Sequence, residues 1–232
     1  MTKGATRFAM LDLDGTLVDS VAALRRWAHR LCTDYELPQE TAQWLIEQRD
    51  LYDSWQTFAA AAADHVGRPE HTMEWKEHLL QHYPNEIVLE PATAQRLGAL
   101  REAGWKLAVV TNGSVAMQSA KIEQVQLSDY VDAVCISEAA GVRKPDRAIF
   151  ESAAGQLGVG LGRHGWMVGD NLRADVGGGL GAGVRTIWLS DQDVPRGTGA
   201  KCPADAPGCP APRPDHVCGS IAAALDHILA SV

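Results

Sequence analysis

Two aspartates separated by one leucine, Asp12-Leu13-Asp14, followed by Gly15-Thr16, stand at the end of the apolar run Phe8-Ala9-Met10-Leu11. Alternate side chains of a strand share a face, so this spacing lets both carboxylates address one reacting atom. Gly15 permits a close backbone turn and Thr16 can cap a helix beginning at Leu17. The pair then sits at the carboxyl end of a strand, where open α/β sheets bind ligands. The competing reading of so short a stretch is a plain strand followed by a helix cap, and the rest of the chain has to decide between them.

Three later corners carry polar groups suited to one task. After Val109-Val110 comes Thr111-Asn112-Gly113-Ser114, which offers a hydroxyl, an amide and backbone N–H groups at a helix N-terminus. Such a corner attracts anions through unpaired N–H groups and the helix dipole, although alone it is equally a simple cap. Arg143-Lys144-Pro145-Asp146 precedes another helix, with Pro145 holding Lys144 extended. A lysine fixed in this way can neutralise a phosphoryl oxygen, whereas an isolated lysine is usually a solvated surface residue. Trp166-Met167-Val168 leads into Gly169-Asp170-Asn171-Leu172-Arg173-Ala174-Asp175, a third apolar strand ending in acid. Asp170 and Asp175 can join Asp12 as the hard oxygen ligands that Mg2+ prefers. By itself Asp175 is as well explained as a favourable charge in the first turn of a helix.

The elements that must position these corners follow from composition and periodicity. With 232 residues, 46% of them hydrophobic and 22% charged, the chain can build one good core plus a smaller module. A formal net charge of -8 argues against a nucleic-acid partner, and it means that an anionic substrate needs local positive charge. The stretch Met1 to Arg7 has no signal-peptide h-region, and no apolar run approaches the ~18 residues that span a bilayer. The expectation is a cytoplasmic protein with no membrane partner. Cys32, Cys135, Cys202, Cys209 and Cys218 are scattered and odd in number, unlike a secreted disulfide framework, and Cys32 and Cys135 read as core packing.

Val21, Leu24, Ala28 and Leu31 recur at helical spacing and predict an amphipathic helix. A second helix is predicted from Pro38, carrying Trp44, Leu45, Leu51, Tyr52, Trp55, Phe58 and Ala59, and a third from about His71 to His82. No strand is expected between residues 19 and 88, which marks an all-helical insert. From Pro91 the rhythm alternates. Helices are predicted over 94–103, 114–126, 147–157, 171–180 and 221–229, and strands over 106–110, 133–136, 166–168, 186–189 and 216–218. Alternation of this kind implies an α/β fold, a parallel sheet with helices on both faces. The domain boundaries are therefore 1–18 with 89–232 for the α/β core and 19–88 for the insert. The proline-rich segment 191–214 reads as an irregular loop, because the spacing of Cys202 and Cys209 matches no standard zinc motif.

Four polar corners in this order make the chain resemble the haloacid dehalogenase-like (HAD) hydrolase superfamily. Asp12-Leu13-Asp14-Gly15-Thr16 matches the first motif, Thr111 with Asn112 the second, Lys144 the third, and Gly169-Asp170 with Asp175 the fourth. The resemblance covers almost the whole chain, and only the proline-rich loop departs from it. It implies a Rossmann-like core, with the helical insert as the small cap domain that follows the first motif in one large subgroup. It also implies that Asp12 attacks phosphorus to form an aspartyl-phosphate, and that Asp14 shuttles the proton. Mg2+ would be held by the Asp12 carboxylate, the Asp14 main-chain carbonyl and Asp170, with Asp175 supporting directly or through water. The phosphoryl group would be held by Thr111, the Asn112 and Gly113 backbone region, and Lys144. Dehalogenating relatives lack an aspartate at the position of Asp14, so its presence favours phosphoryl chemistry.

The implied substrate is a small phosphomonoester, with the sequence most like the branch containing nucleotidases and acyl-sugar phosphatases. A cap acting as a lid disfavours phosphoproteins and long polymers. Arg25, Arg26, Arg49, Trp55 and His65 are the cap residues to examine for specificity. Against this, arginines on a helix are commonly a solvated face, and Trp55 is commonly core. A phosphomutase acting on sugar phosphates shares the same corners, and a non-catalytic regulator could retain the fold. The oligomeric expectation is a monomer or a homodimer.

Overall fold

The computed structural model describes residues 6–52, 54–190 and 212–231. Cys202 and Cys209, with most of the proline-rich loop expected over 191–214, lie outside the described residues. In chain order the elements begin with β1 (Phe8–Leu11), α1 (Ser20–Asp34), α2 (Gln39–Gln48), α3 (Trp55–His65) and α4 (Thr72–His82). They continue with α5 (Pro91–Glu102), β2 (Lys106–Thr111), α6 (Val115–Gln124), β3 (Ala133–Ile136), α7 (Ser137–Ala140) and α8 (Arg147–Leu157). The chain then forms β4 (Gly165–Gly169), α9 (Gly178–Ala182), β5 (Arg185–Leu189), β6 (His216–Cys218) and α10 (Ile221–Ala230). The chain divides into two compact units, residues 1–18 with 89–232 and residues 19–88.

In the first unit the six strands form one sheet in the order β3-β2-β1-β4-β5-β6, with every pairing parallel. β1 lies between β2 and β4, with Leu11 opposite Val109 on one side and Val168 on the other. The strand order runs outward in both directions from β1. Such a sheet leaves a crevice beyond the carboxyl ends of its central strands, where the connections part to opposite sides. The apolar runs that predicted the central strands β1 and β4 are fully buried, as parallel strands covered on both faces must be. Phe8 and Met10 pack with Ala108, Val110, Cys135 and Met167 beneath Ile149, Phe150, Ala153 and Leu157 of α8. Burying one such side chain contributes about 1.5–3 kcal/mol. Ala9, Leu11, Leu107 and Val109, also completely buried, alternate to the other face. On that unit, α5 and α10 pack on each other and against the sheet.

Three local expectations need correction. The second predicted helix is two helices. α2 ends at Gln48, a single 3-10 turn covers Arg49–Leu51, and α3 starts afresh at Trp55. Ser54 and Thr57 form a capping box, with Ser54 Oγ accepting the Thr57 N–H at 3.1 Å and Thr57 Oγ1 accepting the Ser54 N–H at 3.3 Å. Second, the helix predicted over 171–180 opens as a π-helical turn, Leu172–Gly177, before α9. Third, residues 137–140 form the short α7, which no apolar pattern announces.

The second unit contains α1 to α4, with no strand among its described residues. Trp27, Leu31, Leu45, Phe58, Trp75 and Leu79 form its buried interior. Cys32, Cys135 and Cys218 are buried free thiols in their respective units. Among the described residues no helix is long and apolar enough to cross a membrane.

Candidate active site

The carboxyl end of β1 carries Asp12, whose N–H donates to the Val168 carbonyl at 2.9 Å and so continues the β1–β4 ladder by one residue. Lys144 reaches it from the loop before α8. The Lys144 ammonium donates to Asp12 Oδ1 at 2.6 Å and lies 2.7 Å from Asp175 Oδ1. All three groups are buried, at 7%, 5% and 1% exposure for Asp12, Lys144 and Asp175. Asp175 stands on the π-helical turn after β4, where its Oδ2 accepts the Asn171 N–H at 2.9 Å. Asp170 is anchored through its carbonyl, which accepts the Trp188 Nε1–H at 2.9 Å.

Gly15 explains how the first motif closes on the fourth. Its φ of +75° is unfavourable for a residue with a Cβ, and a Cβ there would overlap Asp170 Oδ2. The turn it forms is tied by the Gly15 N–H donating to the Val18 carbonyl at 2.9 Å.

Burial dominates the electrostatics, pushing the Asp12 carboxyl well above its ordinary range. Lys144 opposes that shift, while the negative charges of Asp175 and Asp170 reinforce it. For Lys144 the balance runs the other way. Burial disfavours its charge, but Asp12 and Asp175 lift the ammonium above the usual lysine value.

Carboxylate oxygens of Asp12, Asp170 and Asp175 lie within 4.8 Å of one another. The Lys144 ammonium meets two of these three carboxylates, and a cation held among all three would offset the negative charge gathered there. A set of oxygen donors without histidine or thiolate fits a hard ion such as Mg2+.

Asp14 has different neighbours from Asp12. Its two carboxylate oxygens accept from the Lys121 ammonium at 2.7 and 2.9 Å, and Oδ2 also accepts from Gln118 Nε2 at 2.8 Å. Both donors come from α6, whose N-terminus follows β2. Sequence reasoning missed them, because the helical pattern treats polar residues as solvent-facing. The signal that could have found them is a glutamine and a lysine three residues apart on the helix that follows an anion corner.

The Thr111-Asn112-Gly113 corner divides its labour. Thr111 Oγ1 accepts from Gln118 Nε2 at 2.7 Å, which leaves the hydroxyl's own proton for an acceptor. The Asn112 side chain is turned to Lys144, donating from Nδ2 to its carbonyl at 3.0 Å and accepting its N–H on Oδ1 at 2.9 Å. The Gly113 N–H donates to Ser137 Oγ at 3.0 Å. The expectation that the Gly113 main chain is offered to an anion therefore needs correction, since α7 brings Ser137 to that N–H.

Among the residues singled out in the helical unit, Arg49 and Trp55 are brought together. The Arg49 guanidinium lies 3.8 Å over the Trp55 ring, and Nη1 donates to the Tyr52 carbonyl at 2.9 Å. Trp55 also meets Tyr83, with ring centroids 5.2 Å apart. Arg26 is tied to Glu86, Nε to Oε2 at 3.3 Å. His65 stacks on Trp44 at 4.1 Å, and Arg25 is exposed.

Residues 9–189 match the family profile described as haloacid dehalogenase-like hydrolase. Pyrimidine 5'-nucleotidase YjjG of Escherichia coli strain K12 is 39% identical over 100 residues, which cover 43% of this chain and 44% of that protein. The chain thus spans less than half the length of that relative. Pyrimidine 5'-nucleotidase PynA of Streptococcus pneumoniae is 28% identical over 216 residues, covering 84% of this chain and 88% of the other. The structure of the HAD-hydrolase YfnB from Bacillus subtilis superposes with a TM-score of 0.72 at 19% identity, over 97% of this chain and 99% of that one. At that identity the likeness speaks for the fold.

Proposed function

The chain belongs to the haloacid dehalogenase-like hydrolase family, and on that premise we propose that it is a Mg2+-dependent phosphatase of small phosphomonoesters. The observation that carries the reading is the buried Asp12 carboxylate 2.6 Å from the Lys144 ammonium, with a second acid two residues on that has its own lysine.

A phosphomonoester is anionic, so attack on it needs a positioned nucleophile, positive charge on the phosphoryl oxygens and a proton for the leaving group. An Asp12 oxygen attacks phosphorus, the P–O ester bond breaks, and Asp14 gives its proton to the departing alkoxide. Water then attacks the aspartyl-phosphate, Asp14 takes its proton, and inorganic phosphate leaves. Lys144 places its ammonium where a phosphoryl oxygen approaching Asp12 carries charge, and the Thr111 hydroxyl donates to another. The Asn112 main chain completes the phosphoryl corner. When bound by Asp12, Asp170, Asp175 and the Asp14 carbonyl, Mg2+ supplies the positive charge that offsets the crowded carboxylates.

The helical unit 19–88 acts in this reading as a cap that restricts substrates to small molecules. Arg25, Arg26, Arg49, Trp55 and His65 are its candidates for specificity. Nucleotides and sugar phosphates are the favoured classes, the first supported by the two nucleotidase relatives. A cytoplasmic protein, monomeric or homodimeric, suits such a substrate.

The test is a panel of nucleoside monophosphates, sugar phosphates, phosphoglycolate and p-nitrophenyl phosphate, assayed with and without Mg2+. Phosphate release that needs the metal and vanishes in Asp12→Asn is expected. Substantial turnover surviving in Asp12→Asn would sink the covalent route. Isomerised sugar phosphate without phosphate release would make the protein a mutase, and inactivity across the whole panel would make it a regulator.

A further inference from the structure

Helix α6 turns two polar side chains inward, and neither has a place in the chemistry set out above. Gln118 and Lys121 are each only 2% exposed, a costly position for an amide and far more so for an ammonium unless partners are supplied. Both address the same carboxylate. Lys121 Nζ donates to the two oxygens of Asp14, and Gln118 Nε2 donates to Oδ2.

The orientation of the Gln118 amide follows from chemistry. Asp14 Oδ2 is an acceptor in this arrangement, so the amide nitrogen must face it, and the second hydrogen of that nitrogen is then directed to Thr111 Oγ1. A threonine hydroxyl that accepts at this point donates its own proton elsewhere. Gly113 keeps the slot open, because a Cβ at that position would lie 2.8 Å from Gln118 Cγ.

We infer that Lys121 and Gln118 are positioning residues for this reaction, an inference that rests on the phosphatase reading. Lys121 fixes the carboxylate of Asp14 through both its oxygens. Gln118 ties that carboxylate to the Thr111 hydroxyl, which donates to a phosphoryl oxygen, so the proton shuttle and the phosphoryl corner are held in one register. Neither side chain needs to touch the reacting atoms.

The two chemical steps separate this role from a purely structural one. Departure of p-nitrophenolate needs no proton, whereas the later attack of water on phospho-Asp12 needs Asp14 to take a proton from that water. Displacing Asp14 should therefore spare the first step and slow the second. With p-nitrophenyl phosphate and Mg2+, Lys121→Met is expected to release a burst of p-nitrophenolate near one equivalent per folded enzyme. Its steady rate should then fall about tenfold or more below wild type, with kcat and KM falling together so that kcat/KM changes by about twofold at most. Gln118→Leu also loosens Thr111, so its kcat/KM should fall by roughly tenfold.

An equal loss of kcat and kcat/KM in Lys121→Met, with no burst, overturns the inference. A double-mutant cycle covers poor folding of that variant, because Asp14→Asn with Lys121→Met removes both charges of the pair together. The double variant should match Asp14→Asn alone, and a further drop of about tenfold overturns the proposal. Wild-type protein without Mg2+-dependent p-nitrophenolate release brings down the phosphatase reading and this inference with it. A failure confined to the variants leaves that reading standing.

Discussion

Asn112 holds the backbone of Lys144 as a neighbouring strand would. Its amide donates to the Lys144 carbonyl at 3.0 Å and accepts the Lys144 N–H at 2.9 Å. A side chain at the end of β2 thereby fixes where the loop before α8 delivers its ammonium. Asn112→Ala should leave both backbone groups of Lys144 unpaired and cost about 1–3 kcal/mol in urea unfolding. Its kcat/KM on p-nitrophenyl phosphate should drop by roughly tenfold to a hundredfold, the scale of a misplaced electrostatic donor. A fall in activity no larger than the loss of folded protein would remove the positioning role.

The gathering of Asp12, Asp170 and Asp175 oxygens within 4.8 Å of one another predicts that Mg2+ stabilises the folded protein. At about a hundred times its Kd a ligand bound only to the native state adds about 2.7 kcal/mol, visible as a higher Tm. Asp170→Asn should shrink this metal-induced shift. An unchanged shift in Asp170→Asn would place the ion elsewhere.

Gly15 and Gly183 separate backbone strain from collision. Both have positive φ, +75° and +83°, but only at Gly15 would a Cβ meet a carboxylate, while at Gly183 nothing lies within 4 Å. Gly183→Ala should cost about 1–2 kcal/mol from conformation alone and leave activity intact. Gly15→Ala should add loss of turnover and a weakened response to Mg2+, since Asp170 must move. Equal behaviour of the two variants in a metal titration would count against the close approach.

His78 gives the helical unit a dependence on pH. Trp27 Nε1 donates to His78 Nδ1 at 3.2 Å, so the ring proton lies on Nε2 and points to Asp34 Oδ2 at 2.9 Å. Burial holds the imidazole below its ordinary value of 6.5, aided by His82 and Arg30 and opposed by Asp34. Below that value the unfolded chain takes up a proton that the folded one resists, so stability falls as pH drops below about 6.5. Unfolding followed by tryptophan fluorescence should show this slope in wild type and a shallower one in His78→Leu. Matching slopes would assign the effect to other groups.

The sheet was legible because its central strands are buried on both faces and leave continuous apolar runs such as Leu107 to Val110. The acids were legible because they come after such runs, and Lys144 because a proline follows it. The α2–α3 break was not, since Leu51, Tyr52 and Trp55 continue a helical spacing across it. Only the reciprocal bonds of Ser54 and Thr57 identify a new start. Gln118 and Lys121 were hidden for a different reason. Hydrophobic periodicity assigns a polar side chain to water, and it cannot see an acid waiting on another element. The true environment of Asp14 is therefore a tertiary fact, as is the diversion of the Asn112 amide and the Gly113 N–H to protein partners.

Val18 and Leu89 pair as an antiparallel bridge, so the segment between them leaves and re-enters the α/β unit at one spot. Closing a loop whose ends already meet depends on its length only logarithmically. What lies between the two residues can be lengthened, shortened or exchanged at small conformational cost to the sheet. Selectivity can thus diversify by wholesale replacement of an interchangeable cassette, while β1, β2 and β4 keep their alignment and the four strand-end corners stay in place.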